Sequence, residues 1–284
     1  MDHLRPPRLL SIAGSDSGGG AGIQADLKAF ARCGAHGMTA ITAITAQSTV
    51  GVDAVFALPP EAVVAQVRAV VSDIGVDAVK IGMLGDVATI SAVDRALDLV
   101  GDVPIVLDPV MVAESGAVLL AEDAREALRR KLIPRATVVT PNLPEAVVLA
   151  NREEGGSADE DGVPACLLAR EIRALGCSVV VVTGGHRAEG GDVFFDGGPE
   201  CREIMGERHP GGAAHGSGCT HSSALAALLA GGCSPFGAAQ GARQVAADAV
   251  RDGLRSIGEG AGPVNALGIG TVAPGQRASG RGLS

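Results

Sequence analysis

Six short apolar runs recur along the chain with helical patterns between most of them, and this alternation restricts the fold more than any other feature. The runs are Arg8–Gly14, Met38–Thr45, Ala78–Gly82, Pro104–Leu107, Thr137–Thr140 and Ser178–Thr183. They are too short for helices and rich in β-branched and aliphatic residues, the composition of buried strands. Between them, Ala21–Cys33 and Pro59–Ile74 carry apolar residues at helical spacing, the second opening on prolines and an acid. Strands at this spacing with intervening helices build parallel βαβ units, so the expected fold is α/β with a mostly parallel central sheet. Nothing marks a second domain. Asn151–Gly162 reads as an acidic loop, and the Gly-, Ser- and Arg-rich stretch after about residue 270 as a disordered tail.

The chain has 46% hydrophobic residues but no Trp, no Tyr and only five Phe, so its core must be Val, Ile, Leu and Ala. The same shortage of aromatics leaves little surface for stacking bases, and a net charge of −9 argues against a polyanionic partner. No apolar run is long enough to span a bilayer, and no charged-then-apolar leader opens the sequence. The six cysteines, at 33, 166, 177, 201, 219 and 233, include no Cys-x-x-Cys pair. That spacing speaks against zinc and against a compact disulfide framework. The expectation is a soluble, reduced, cytoplasmic protein that binds neither nucleic acid nor membrane.

In parallel sheets ligands gather beyond the carboxyl ends of the strands, and the unusual residues fall there. Gly14–Gly22 (GSDSGGGAG) follows the first run. It fails as a dinucleotide loop, because the second strand ends in Ala46-Gln47 with no acid. It fails as a P-loop too, because none of Lys28, Lys80 and Lys131 directly follows a glycine. Gln47 is either a surface glutamine or a carboxamide that reads the edge of a heterocycle, since it can donate and accept. Asp108-Pro109 closes the fourth run. The fifth closes in Thr140-Pro141-Asn142-Leu143-Pro144-Glu145, where Asn142 and Glu145 have the spacing of a capping box. The same oxygens also suit a magnesium ion held through water. The sixth closes in the flexible turn Thr183-Gly184-Gly185-His186.

His215-Gly216-Ser217-Gly218-Cys219-Thr220-His221-Ser222-Ser223 runs directly into an Ala- and Leu-rich helical segment. Its glycines permit a turn whose amides point inward, and a helix start adds partial positive charge, a combination that holds anions. Cys219 places a thiol on that turn. The plain alternative is a tight helix start with a buried cysteine. His215, Cys219 and His221 lack the acid or fourth ligand of a zinc site, so turn and helix packing is the expected role of the two histidines.

Six motifs occur together in this order: Ala13–Asp16 through Ala25–Lys28, Ala46–Thr49, Lys80–Leu84, Leu107–Met111, Thr140–Glu145 and His215–Thr220. With them the chain, over about residues 8–269 and including Gly262–Asn265, resembles the hydroxymethylpyrimidine/phosphomethylpyrimidine kinases of thiamine biosynthesis. These belong to the ribokinase-like superfamily. The resemblance implies a three-layer α/β/α fold, with residues 1–270 forming a single kinase domain and 271–284 a tail. It implies ATP as co-substrate, Mg2+ as cofactor and a homodimer. Gln47 would read the aminopyrimidine edge, Asp26 with Gly14 would meet the substrate hydroxymethyl group, and Met83 would wall the pocket. Asn142 and Glu145 would organise magnesium, and Asp108, Asn142, Thr183 and Gly185 would face the phosphates. Gly216, Ser217, Gly218 and Cys219 would form the anion hole, with Cys219 standing where sugar-kinase relatives carry an aspartate base. A helix N-terminus lowers a thiol's pKa, which would suit Cys219 to accept the hydroxyl proton.

Four positions depart from the family pattern: Thr183 where many relatives have Lys, Ala214 for a threonine, His221 for Leu or Phe, and Ser17-Gly18 for Pro-Ser. They bear on the nucleotide side more than on the pyrimidine side. Three other readings remain at this level: a pyridoxal or pyridoxine kinase, a chain confined to the second phosphorylation, and a non-catalytic pyrimidine-binding sensor.

Overall fold

In the computed structural model, which describes residues 5–152, 164–184 and 191–270, nine strands form one sheet. Five of them run parallel at its centre: β1 (Arg8–Asp16), β4 (Ala78–Ile81), β5 (Ile105–Leu107), β6 (Val138–Val139) and β7 (Val179–Val182). β2 (His36–Gln47) pairs parallel to β1, and β3 (Val52–Ala57) returns antiparallel at that edge. At the far edge β8 (Asp192–Phe195) and β9 (Arg202–Ile204) are also antiparallel. The order across the sheet is β3-β2-β1-β4-β5-β6-β7-β8-β9.

All six apolar runs are strands, each within a few residues of its expected limits. The antiparallel edges were not expected, and the reason lies in their sequence. β3 (VDAVFA) is largely exposed, and β8 (DVFF) opens on an aspartate, so neither carries the uniformly apolar signature of a central strand.

Alternate residues of the central strands feed two cores. Leu10, Ile12, Val79, Ile81, Leu107 and Val180 face one side, against α2 (Pro60–Asp73), α3 (Val87–Val100), α4 (Glu122–Ala127), α5 (Leu143–Leu149) and α6 (Ala165–Arg173). Leu9, Ala78, Val106, Val138 and Val181 face the other, against α1 (Gly22–Arg32), α7 (Ser217–Ala230) and α8 (Pro235–Arg251). The result is the expected three layers. α7 is buried on almost every side, which explains why its sequence shows no polar stripe. Small residues let it lie close: Gly241 of α8 sits where a methyl would meet Leu228 at 2.6 Å.

One pair of cysteines departs from the reduced state expected of all six. Cys166, at the start of α6, is bonded to Cys201, just before β9, with 5.9 Å between Cα atoms. The pairing staples α6 to the edge hairpin; 35 residues separate the two, a distance that carries no local sequence signal. Cys33, Cys177, Cys219 and Cys233 are free.

The entry into the central strands is fixed by charge. Asp77, just before β4, accepts from the backbone amide, Nε and Nη2 of Arg8 at 2.8, 3.0 and 2.6 Å, and from Arg5 at 3.1 Å. The Arg8 guanidinium holds its carboxyl down at about 2. Against an unfolded value near 3.9, the pair stabilises the fold above about pH 4 and loses that effect as the pH falls towards about 2. Asp77→Asn is expected to lower Tm by roughly 2–3 °C at pH 7. The gap from wild type should narrow steadily below pH 4 in calorimetry; a gap independent of pH would show that the pair contributes nothing.

Candidate active site

The loop after β1 and the turn before α7 are folded against each other, and their contact sets the floor of a cleft at the carboxyl ends of the strands. Asp16, nearly fully buried, accepts from the amides of Gly18, Gly20 and Ala21 at 2.8, 2.9 and 2.8 Å, which curls the glycine-rich loop around its carboxylate. Nε2 of His215 lies 3.0 Å from the same carboxylate. Burial raises the Asp16 carboxyl, but His215 and the loop amides outweigh it and hold the group below its ordinary value. Gly216 has φ 87°, and a methyl there would lie 1.8 Å from the carbonyl oxygen of Gly20. Only glycine admits both that backbone angle and that approach.

Gly216 caps α7 and the next three residues form its first turn. The Ser217 amide donates to the Ala214 carbonyl at 2.9 Å. Those of Gly216, Gly218 and Cys219 find no acceptor among the described residues. The unbonded amides of the turn are therefore three rather than the four that the sequence suggested. They remain available for an anion at the positive end of a 14-residue helix.

The same segment builds the layer beneath. Ser222 donates to Asp108 at 2.9 Å and Ser223 to Asp26 at 2.8 Å. Between the two acids lies Lys80 of β4, its side chain wholly buried, 2.9 Å from Asp26 and 3.9 Å from Asp108. Burial works against the ammonium, but the carboxylates of Asp26 and Asp108 more than offset it, so Lys80 is held above the ordinary lysine range.

Asp26 therefore does not sit where the resemblance put it. It is 0% exposed, and its oxygens are taken by Ser11 at 2.6 Å, Ser223 and Lys80. The group that reaches the cleft at this point is Lys80, and Asp26 lies behind it. A second correction concerns Cys219. It borders the cleft, but its thiol is pushed up to about 12. Burial is the main cause; Asp26 and Asp108 add to it, against the opposing pull of Lys80 and the Gly22 amide. The helix terminus does not prevail, and at neutral pH the group is a thiol.

Asn142 and Glu145 form the capping box that their spacing allowed. Asn142 caps α5 by accepting from the Glu145 amide at 2.9 Å, and the Glu145 carboxylate accepts from the Asn142 amide at 3.0 Å. That carboxylate also borders the cleft, where burial and then the charge of Asp108 raise its pKa to about 8. Asp108 is itself raised by burial, against the pull of Lys80 and Ser222. Thr183 lies beside Asn142 through a parallel bridge. Gly185 and His186 fall outside the described residues.

One cavity of about 450 Å³ joins these groups. Gly14, Gln47 and Met83 line one end; Lys80, Asp108, Glu145 and the turn Gly216–Cys219 line the middle. The other end carries Asp192, His221, Arg243 and the apolar Ala246 and Val250. Asp192 accepts from the Gly184 amide at 2.7 Å and pairs with Arg243 at 2.8 Å. His221 packs there as a buried imidazole whose pKa burial lowers, consistent with a packing role. Among the described residues no cluster of three or more His, Cys, Asp or Glu could hold a metal by itself.

Sequence reasoning gave no role to Asp16, Lys80, Ser222, Ser223, Asp192 or Arg243. Lys80 carried a signal, a lone charge inside the apolar run Ala78–Gly82; a buried charge requires partners. The two serines, in an otherwise apolar helix start, carried a weaker one.

The chain is a phosphotransferase of ribokinase-like fold. The chain belongs to the phosphomethylpyrimidine kinase family, whose pattern it matches over residues 16–265. It is 48% identical over 263 residues to the hydroxymethylpyrimidine/phosphomethylpyrimidine kinase of Rhizobium meliloti, covering 90% of this chain and 95% of the relative. The structure is similar to a phosphomethylpyrimidine kinase from Clostridium difficile, with TM-score 0.72, 38% identity and 84% and 96% of the two chains covered. It is also similar to a pyridoxal kinase from Staphylococcus aureus in complex with AMP-PCP and pyridoxal. That match has TM-score 0.80, 33% identity and covers 92% and 94% of the two chains.

Alkylation of Cys219 by iodoacetamide, followed by mass spectrometry, should be slow at pH 7 and rise about tenfold per pH unit up to at least pH 10, because only the thiolate reacts. A plateau reached near neutral pH would contradict the raised pKa.

Proposed function

We propose that the chain transfers the γ-phosphoryl group of ATP to the hydroxymethyl group of 4-amino-5-hydroxymethyl-2-methylpyrimidine. A second transfer, to the monophosphate, then gives the diphosphate for thiamine biosynthesis. The observation that carries this reading is the single cavity with Gln47 and Met83 at one end and the turn Gly216–Cys219 at its centre. A heterocycle at the first end would bring a ring substituent to the free amides, with the nucleotide base against Ala246 and Val250.

Phosphoryl transfer depends on positioning and charge neutralisation. In this reading the amides of Gly218 and Cys219 receive the phosphoryl oxygens, and Lys80 offsets their charge from below. Asp108 and Glu145 fit a hard cation held partly through water: both are buried carboxylates, and Glu145 is raised to about 8 in the absence of a compensating charge. Magnesium there would neutralise the phosphates, with Asn142 and Thr183 alongside. Cys219 as a thiol orients the substrate hydroxyl, whose proton passes late, as the O–P bond forms and the bond to ADP breaks, to an oxygen of the transferred phosphoryl group. The described kinase unit within residues 1–270, a homodimer and a cytoplasmic location belong to the same proposal. The exposed apolar side chains Ile44, Val55 and Phe56 on the β2–β3 edge suit contact with a second copy.

The second reading, a pyridoxal kinase, draws on the likeness to the pyridoxal-bound Staphylococcus aureus enzyme. Purified protein with Mg-ATP, offered the pyrimidine alcohol, its monophosphate and pyridoxal separately, distinguishes them. The expected result is turnover of both pyrimidines at higher kcat/KM than pyridoxal. Turnover of pyridoxal alone would overturn the proposal, and tight pyrimidine binding without turnover would indicate a sensor.

Glu145→Gln keeps an acceptor for the capping box but removes the charge. It should retain the wild-type Tm or exceed it, while kcat falls about a hundredfold and the Mg2+ needed for half-maximal rate rises. An unchanged kcat would remove Glu145 from the site.

A further inference from the structure

We propose that the Cys166–Cys201 bond is a reversible redox switch on nucleotide affinity, opened by a dithiol and closed by a disulfide oxidant. The switch acts on the nucleotide end of the cavity, and so rests on the proposed function.

The bond fastens the turn of the β8–β9 hairpin to the start of α6. Both legs of that hairpin lead from the bond to the cleft. The chain enters β8 at Asp192, which is wholly buried and accepts from the Gly184 amide at 2.7 Å and from Arg243 of α8 at 2.8 Å. It leaves β9 at Ile204, and residues 207–210 and Gly212 then line the cavity on the way to the turn at Gly216. Asp192 and Ile204 are register partners, so the legs reach the cleft side by side.

Around the bond, the outer end of the hairpin is held by exposed side chains. Arg170 of α6 donates to the Pro199 carbonyl at 2.7 Å and lies 4.6 Å over the Phe195 ring. Arg202 lies 3.9 Å over the Phe236 ring of α8. Water competes for such contacts, and they hold a segment weakly. With the bond broken, the hairpin keeps its strands while Asp192 and residues 207–212 lose a fixed support. A less preorganised site binds its ligand less tightly.

The surroundings of the bond suit exchange. Both cysteines are half-buried, and Cys201 adjoins the last strand of the sheet. The other four cysteines are free, so the chain is no disulfide scaffold. A lone accessible bond of this kind is transient in a reducing compartment. One thiolate of a dithiol attacks either sulfur, and its second thiol then resolves the mixed disulfide. The dithiol gives up two electrons and two protons and becomes a disulfide, while Cys166 and Cys201 become thiols.

The test compares the full-length protein before and after dithiothreitol. Thiols are counted after denaturation, and binding of AMP-PCP with Mg2+ and of the pyrimidine alcohol is measured by titration calorimetry. Reduction should take the count from four to all six cysteines. The Kd for AMP-PCP should rise about fivefold, with that for the pyrimidine changed by less than about twofold. Oxidised glutathione should restore the first state. Cys201→Ser should bind AMP-PCP like the reduced protein with or without dithiothreitol; if it does not fold, the wild-type comparison decides alone. A native bond that dithiothreitol leaves intact, six thiols after oxidation, or a Kd for AMP-PCP raised less than about twofold would overturn the inference and leave the proposed function standing. An equal loss of pyrimidine affinity, or a Cys201→Ser protein that binds like the oxidised one, would overturn it too. Failure to bind AMP-PCP in either state would overturn both.

Discussion

A single buried ammonium holds this site together. Lys80 enters from β4 with no exposed surface, and a charge so placed is tolerable only where its partners are fixed. Its partners come from separate elements: Asp26 from α1 and Asp108 from the end of β5, each hydrogen-bonded to a serine of α7. The strand, both acids and the start of α7 are therefore positioned by one electrostatic arrangement. Loss of the ammonium would leave two buried carboxylates unbalanced beneath the cleft, so the cluster belongs to the architecture as much as to the chemistry.

The nine residues 215–223 draw on that cluster from above and below. His215 bonds Asp16 and so locks the turn to the glycine-rich loop, while Gly216 allows the backbones to touch. Gly218 and Cys219, whose amides are unbonded, line the cavity, and Ser222 and Ser223 hold the acids underneath. The thiol in the middle inherits its environment from them. Two neighbouring acids and burial keep it protonated, against a helix terminus and an ammonium that favour the anion. Position at a helix start does not by itself activate a cysteine.

The central architecture was legible because buried parallel strands need apolar residues on both faces, and Val179–Val182 or Ile105–Leu107 can hardly be read otherwise. The edges were not legible: Val52–Ala57 is exposed on most positions, and the Cys166–Cys201 bond depends on a contact formed only after folding. In the site, Gln47, Met83, Asn142, Glu145 and the turn Gly216–Cys219 converge on one cavity as their strand-end positions suggested. Asp26 was misplaced because its motif neighbours border the cleft, and sequence does not say which face of α1 turns towards Lys80.

The most direct test is a crystal structure of the protein with the pyrimidine alcohol, magnesium and a non-hydrolysable ATP analogue bound together. The expected result has the ring between Gln47 and Met83, its hydroxymethyl group beside Cys219, and the terminal phosphate on the amides of Gly218 and Cys219 above Lys80. A ring bound elsewhere in the cavity, or phosphates that pass the turn without touching it, would contradict the central claim that these residues form one phosphoryl-transfer site.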